Sequence, residues 1–454
     1  MSDTEEAFFR DSSEAQKEGK QGIARRQRAR LAEQIAYVRE HSPYYRELYR
    51  DLPPHVEDVR LLPITNIEKL MDRYDDWVTD REVTLERVRA HVNDLSLVGK
   101  RLLGKYTVTT TSGTTGRRSF FIMSDHTREM AFNVSTRSLA TVFTPDTVEK
   151  VRARAWRTAM LVPTGGHFGT HVLSVQQRAE FPHVDQRIFA VTTPIPDLVE
   201  QLNAFDPAYV ECYPTVALLL AIEQEAGRLR IKPEVFRLGG EGLTDAEYAR
   251  IRTAFGAKLA DTYGANEFPG LMVKCPHGWY HTHDDWMIFE PVNADYQPTP
   301  PGERSHSVLL SVLFRRDQPI MRYNMGDSLV VRPDPCECGS PFTAVRVHGR
   351  VPILLNFPQP EGGNTTLTSL LFILQVELVP AVERYQIIQT APIALRVRLQ
   401  LRPGNDPDRT WSAVHEKLSR MLKENGLAHV TVERGTEPPE LSPGGKMRSV
   451  IPLS

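Results

Sequence analysis

The chain has 454 residues, more than one ordinary hydrophobic core accommodates, so two or more domains are expected. Apolar residues make up 41% and charged residues 25%, with a formal net charge of −2, which excludes a bulk electrostatic pull toward nucleic acid or anionic membrane. No run of about 18 apolar residues predicts a membrane span; the acidic start MSDTEEAFFR lacks a secretory pattern, and four cysteines are too few for a disulfide framework, so a reduced cytoplasm is the expected compartment.

In chain order, residues 1–100 read as a helical, polar segment, with helical spacing over 24–40 that stops before His41-Ser42-Pro43. The basic run 20–30 (KQGIARRQRAR) reads as the solvated face of that helix. From about 106 to 351 short apolar runs alternate with helical patterns. Strands are predicted at 106–108, 160–162, 209–212, 308–314 and 328–331, and helices at 215–226 and 245–254, which gives an α/β body. The Pro/Gly-rich stretch 356–364 (NFPQPEGGN) reads as a domain joint. Beyond it, strands at 385–389, 395–401 and 430–434 with a helix at 411–425 predict a small α+β domain.

The chemistry concentrates in a few segments. Residues 109–116 (TTTSGTTG) follow a predicted strand, and their two glycines let consecutive amides converge on an oxyanion while the hydroxyls add donors. This is not the loop of P-loop nucleotide hydrolases, because no lysine follows the second glycine. Further along stand 236–244 (FRLGGEGLT), 261–267 (DTYGANE), 322–327 (RYNMGD), 348–350 (HGR) and 442–446 (SPGGK).

In this order and at these separations the set resembles the adenylate-forming superfamily, and within it the phenylacetate–CoA ligase branch, whose amino-terminal pattern is similar to HSPYYRELY at 41–49. The resemblance implies a large amino-terminal AMP-binding domain, 1–349, and a small mobile carboxy-terminal domain, 350–454. It implies that Thr111, Ser112, Gly113, Thr114, Thr115 and Gly116 hold the outer phosphates of ATP. Gly240, Glu241 and Gly242 would pack along adenine and Tyr263 would border it. Asp327 would bind the ribose, Arg350 would lie near ribose and phosphate, and Glu267 would ligate Mg²⁺. Lys446, between a glycine pair and the chain's short tail, would stabilise the negative charge that builds on the α-phosphate.

The implied reaction joins ATP and a small, aromatic acid into an acyl adenylate with release of pyrophosphate, followed by transfer to CoA or another thiol. An amine acceptor, as in an amide synthetase, is the alternative, as is nitrite activation toward an aryl diazotase; a non-catalytic nucleotide-binding protein is the third reading. A homodimer is one option for its assembly. The acid pocket maps to His167, Phe168, Tyr213, Gly239 and Gly264. One departure stands out: Val351 and Pro352 follow Gly349-Arg350 where the family places a charged hinge, and proline restricts backbone rotation.

Cys275, His281, Cys336 and Cys338 form a separate constellation, Cys-x5-His and then Cys-x-Cys-Gly. Three thiolates and an imidazole suit a closed, structural zinc site, and related ligases carry a similar cluster. His277 and His283 are alternatives to His281.

Overall fold

The computed structural model describes residues 3–111, 119–268, 270–348, 353–440 and 449–453. Its centre is a six-stranded sheet in the order Gln186–Ala190, Thr158–Val162, Tyr209–Cys212, Val235–Gly239, Lys258–Tyr263, Met272–Val273. The first five strands are parallel and the last is antiparallel. Thr158–Val162 is buried along its whole length, as expected of a parallel strand covered on both faces. The helices Gly169–Glu180, Ile195–Phe205, Pro214–Glu225 and Asp245–Phe255 connect the strands, and the apolar sides of the last three form one continuous core with the sheet.

A second, larger core joins the amino-terminal helices to two three-stranded sheets. The first helix, Asp3–His41, is longer than its periodicity predicts, with a non-helical backbone at Gly19. Its basic run is only partly solvated, which corrects the sequence reading. Arg26 pairs with Asp11 at 2.8 Å, and Arg30 pairs with Asp11 and lies 3.4 Å over the Trp286 ring. The acids and the indole that bury these guanidiniums are remote in sequence or on another element.

The third core comes from the carboxy-terminal segment. Four strands, in the order Thr431–Arg434, Ala394–Leu401, Val382–Ala391, Val450–Ile451, pack with the helix Pro407–Glu424. The stretch read as a joint lies within a hairpin, Leu354–Pro358 paired with Asn364–Thr368, which buries Leu355 and Phe357 in this core. Alternating apolar positions drive the pairing, and the Pro/Gly residues supply only its turn. The helix Ser369–Glu377 (SLLFILQVE) is apolar at most of its positions because two cores share it. Leu370 and Leu374 join the central-sheet core, whereas Leu371, Phe372, Ile373 and Val376 join the carboxy-terminal one.

Candidate active site and metal cluster

In open parallel sheets, ligands lie outside the carboxyl ends of the strands, at the point where strand order reverses. Here the reversal falls between Thr158–Val162 and Tyr209–Cys212. His167 and Phe168 follow the first of these strands, and Tyr213 follows the second. Gly239 ends the strand Val235–Gly239 and Gly240 and Glu241 follow it, while Gly264 and Glu267 follow Lys258–Tyr263. Residues scattered over a hundred positions are therefore gathered at one edge.

The antiparallel hairpin Thr107–Thr110/Phe120–Met123 stands against this edge. The Thr110 amide donates to the His167 carbonyl at 2.8 Å, which sets the base of the Ser/Thr/Gly loop beside the His167-Phe168 segment. Thr111 closes that base: its amide donates to the Ser119 carbonyl, and its hydroxyl accepts from the Ser119 amide. Ser112, Gly113, Thr114, Thr115 and Gly116 lie outside the described residues, as do Arg350, Pro352 and Lys446.

His167 and Phe168 are both buried, and the His167 ring meets His91 edge-on at 5.3 Å. The hydroxyl of Tyr213 bonds the Thr170 side chain, and burial raises its pKa. The Tyr213 ring lies flat against Gly240: a Cβ there would come 2.9 Å from the ring, and the backbone is left-handed at φ +86°, so glycine is required. Glu241 turns its carboxylate inward, accepting from the Thr215 hydroxyl at 2.6 Å and, more weakly, from the Thr215 amide at the start of the helix Pro214–Glu225. Burial raises its pKa while Thr215 pulls the other way. Its side chain thus fixes the Gly-Gly-Glu-Gly turn and leaves the exposed backbone of Gly240 and Gly242 as the surface on offer.

Tyr263 and Asp327 meet directly, the phenol donating to the carboxylate at 2.7 Å. Glu267 accepts from the Tyr323 hydroxyl at 3.1 Å. Burial pushes its carboxyl above the usual range, and the Arg315 guanidinium offsets this in part. Arg315 is completely buried and had no signal in the sequence. It donates to the carbonyls of Asn266 and Glu267 at 2.5 and 3.0 Å, and to Ile122 O at 3.0 Å. One guanidinium therefore ties the Glu267 loop to the hairpin under the Ser/Thr/Gly loop. Gln318 completes the join: its amide accepts from Ile122 N and donates to Phe120 O, as a neighbouring strand would. The 322–327 turn is clamped by Thr65, whose amide donates to Arg322 O and whose carbonyl accepts from Asn324 N.

Cys275, His281, Cys336 and Cys338 bring their ligand atoms within 4.8 Å of one another. The Cys275–Cys336 sulfur separation is 3.8 Å, close to the roughly 3.8 Å that two 2.3 Å bonds to one tetrahedral ion dictate. His281 donates Nδ1–H to Phe342 O at 3.2 Å, which leaves Nε2, 3.1 Å from the Cys338 sulfur, as the ligand atom. Of the three histidines, His281 is the one that shares the cluster with the three sulfurs. His283 is spent on Leu271 O and Arg137, and burial and Arg137 lower its pKa to about 3. His277 faces Glu337 instead. This Cys₃His cluster could hold a metal ion, with no ligand position left over for water.

No protein-family model matches the chain. A phenylacetate–coenzyme A ligase from Thermus thermophilus is 24% identical over 469 residues, spanning 94% of this chain and 96% of the relative. A 2-hydroxyisobutyryl-CoA ligase solved with 2-HIB-AMP and CoA in the thioesterification state superposes with a TM-score of 0.55 at 18% identity, covering 95% of this chain and 89% of that one. The same ligase with 2-HIB-AMP in the postadenylation state gives a TM-score of 0.52 at 17% identity, with the same coverage. No described helix is long and apolar enough to cross a membrane.

Proposed function

We infer that this chain, which has the fold of the adenylate-forming ligases and resembles a phenylacetate–CoA ligase from end to end, activates a small carboxylic acid with ATP and passes the acyl group to CoA. One observation carries the reading. The Tyr263–Asp327 pair, the half-buried Glu267 and the Gly240–Gly242 turn converge at the carboxyl edge of the sheet, beside the base of the Ser/Thr/Gly loop.

In this reading the base lies along the Gly240–Gly242 backbone with Tyr263 at its rim, and Asp327 accepts from the ribose hydroxyls. The amides and hydroxyls of residues 111–116 receive the outer phosphates. Glu267 fits Mg²⁺, since its partly desolvated carboxylate gains from a cation what it has lost from water. Bound there, the ion would neutralise phosphate charge. The substrate carboxylate attacks the α-phosphorus, the bond to pyrophosphate breaks, and Lys446 with Arg350 stabilises the charge that develops. A thiolate sulfur then attacks the acyl carbonyl and AMP leaves. Phe168 and Tyr213, at the strand reversal, suit a flat aromatic acid, and the Cys₃His cluster suits structural zinc. The amino-terminal AMP-binding region to 349 and the carboxy-terminal unit from 350 act as two domains, with Lys446 on the second.

Exchange of labelled pyrophosphate into ATP across a panel of acids, without CoA, tests the first half-reaction. Lys446→Ala should reduce exchange by about 10²-fold with little change in ATP affinity. Absence of exchange with every acid would remove the reading.

A further inference from the structure

The metal cluster and the Tyr263–Asp327 pair belong to one hydrogen-bonded frame. Strand Met272–Val273 runs antiparallel to Lys258–Tyr263, with Tyr263 opposite Met272 and Thr262 opposite Val273. Lys274 continues the pairing, its amide donating to Asp261 O at 2.8 Å, and Cys275 follows at once. Tyr280–His281 then pairs with Ala344–His348, which pairs with Ser328–Val331, the strand that begins immediately after Asp327. The cluster's ligands thus lie at one end of both frames, and Tyr263 and Asp327 lie at the other.

Side chains reinforce the connection. Asp261 and Tyr263 are two residues apart on one strand and so share a face. The Lys274 ammonium pairs with Asp261 at 2.5 Å, with Asp261 almost fully buried. It also lies 4.8 Å from the Tyr248 ring and 5.3 Å from the Tyr280 ring. The Tyr280 ring in turn packs 6.2 Å from that of Tyr263. A partly buried ion pair flanked by two aromatic faces holds its geometry, unlike an exposed lysine, because moving the ammonium leaves a buried carboxylate uncompensated.

We propose that Lys274 is a positioning residue for the nucleotide: it locks the Cys₃His knuckle to the strand that ends in Tyr263, so that metal in the knuckle sets the Tyr263–Asp327 pair. The inference rests on the functional reading above in one respect, that this pair faces the base and ribose. Its content is that the metal, although closed to substrate, governs ATP affinity, and that Lys274 carries the effect.

Calorimetric titration of Mg·ATP into the zinc-loaded protein, the chelated protein, and Lys274→Met in both forms closes a cycle. Chelation of the unaltered protein should weaken ATP binding by about three- to tenfold, the usual range for coupling through packed side chains. Lys274→Met should do the same while keeping one metal per chain. Chelating the variant should weaken binding little further, and Lys274→Arg should restore most of the affinity. In steady state the variant should raise KM for ATP and leave KM for the acid and kcat nearly unchanged. Two full, additive losses, or equal losses for ATP and acid, would overturn the proposal. Should Lys274→Met fold poorly, the effect of chelation on the unaltered protein decides alone, and unchanged ATP affinity would overturn it. Failure of the unaltered, metal-loaded protein to bind ATP would instead overturn the nucleotide reading, and the inference with it.

Discussion

The Glu267 loop and the Cys275–His281 knuckle leave adjacent antiparallel strands, point to opposite ends of the sheet, and are held by opposite means. In the first, a buried cation built into the chain, Arg315, donates to the carbonyls of Asn266 and Glu267. In the second, three sulfurs and one imidazole come together as a set that could hold an added cation. The first clamp is permanent, because arginine does not lose its proton in a protein. The second, in the proposed reading, depends on metal supply. On the proposed function, a site that accepts and releases nucleotide is thus anchored on one side by a residue of the chain and on the other by a ligand equilibrium.

The largest effect should come from breaking the permanent clamp. Arg315→Met would strand the carbonyls of Asn266, Glu267 and Ile122 and leave Asp317, 3.8 Å away, without its cation. The expected loss is about 3 kcal/mol or more in urea unfolding, accompanied by loss of pyrophosphate exchange. An Arg315→Met protein of normal stability would erase the distinction between the clamps. Breaking the conditional clamp should matter less. Cys336→Ser should lower metal content and stability by about 1–3 kcal/mol, and added zinc should recover only part of it. A variant that keeps its metal and its melting temperature would remove Cys336 from the ligand set.

The smallest effect is a pH dependence that sharpens the contrast at Glu267. Its pKa is raised by burial, so proton and Mg²⁺ compete for it at a higher pH than at an ordinary glutamate. Mg·ATP affinity should fall as pH is lowered through that raised value. The sign for stability is opposite. Without Mg²⁺ in the assay, the folded state holds the proton more tightly than the unfolded one, so stability declines as pH rises from the unfolded to the folded pKa. Glu267→Gln should abolish both slopes, and persistence of either would assign the titration to another group.

The gathering of the candidate residues at one sheet edge was legible in the sequence because the glycines and carboxylates come in short ordered motifs, and the Cys₃His cluster because thiol spacing is rare. The residues that orient these groups were not. Arg315 adjoins Arg316 with nothing to distinguish them, yet one is wholly buried and the other pairs on the surface with Glu33. Glu241 was legible as a member of its motif, but not its bond to Thr215, which lies a full strand–helix unit earlier. Arg26 and Arg30 read as solvated for a similar reason: their acids and indole come from other turns and other elements. Local pattern reveals which residues are chemical, whereas burial of polar partners is decided by tertiary neighbours that no window contains.

The helix Ser369–Glu377 bears on how the protein can be handled. Only Gln375 and Glu377 are partly open to water, since Leu370 and Leu374 complete one core while Leu371, Phe372, Ile373 and Val376 complete another. Cutting the gene before the hairpin that leads into it would leave both products with an open apolar wound. The shorter product would display Leu370 and Leu374, and the longer one the socket they fill. Expressed apart, the two pieces should be sticky and poorly soluble; expressed together, they should find each other and copurify without any linker.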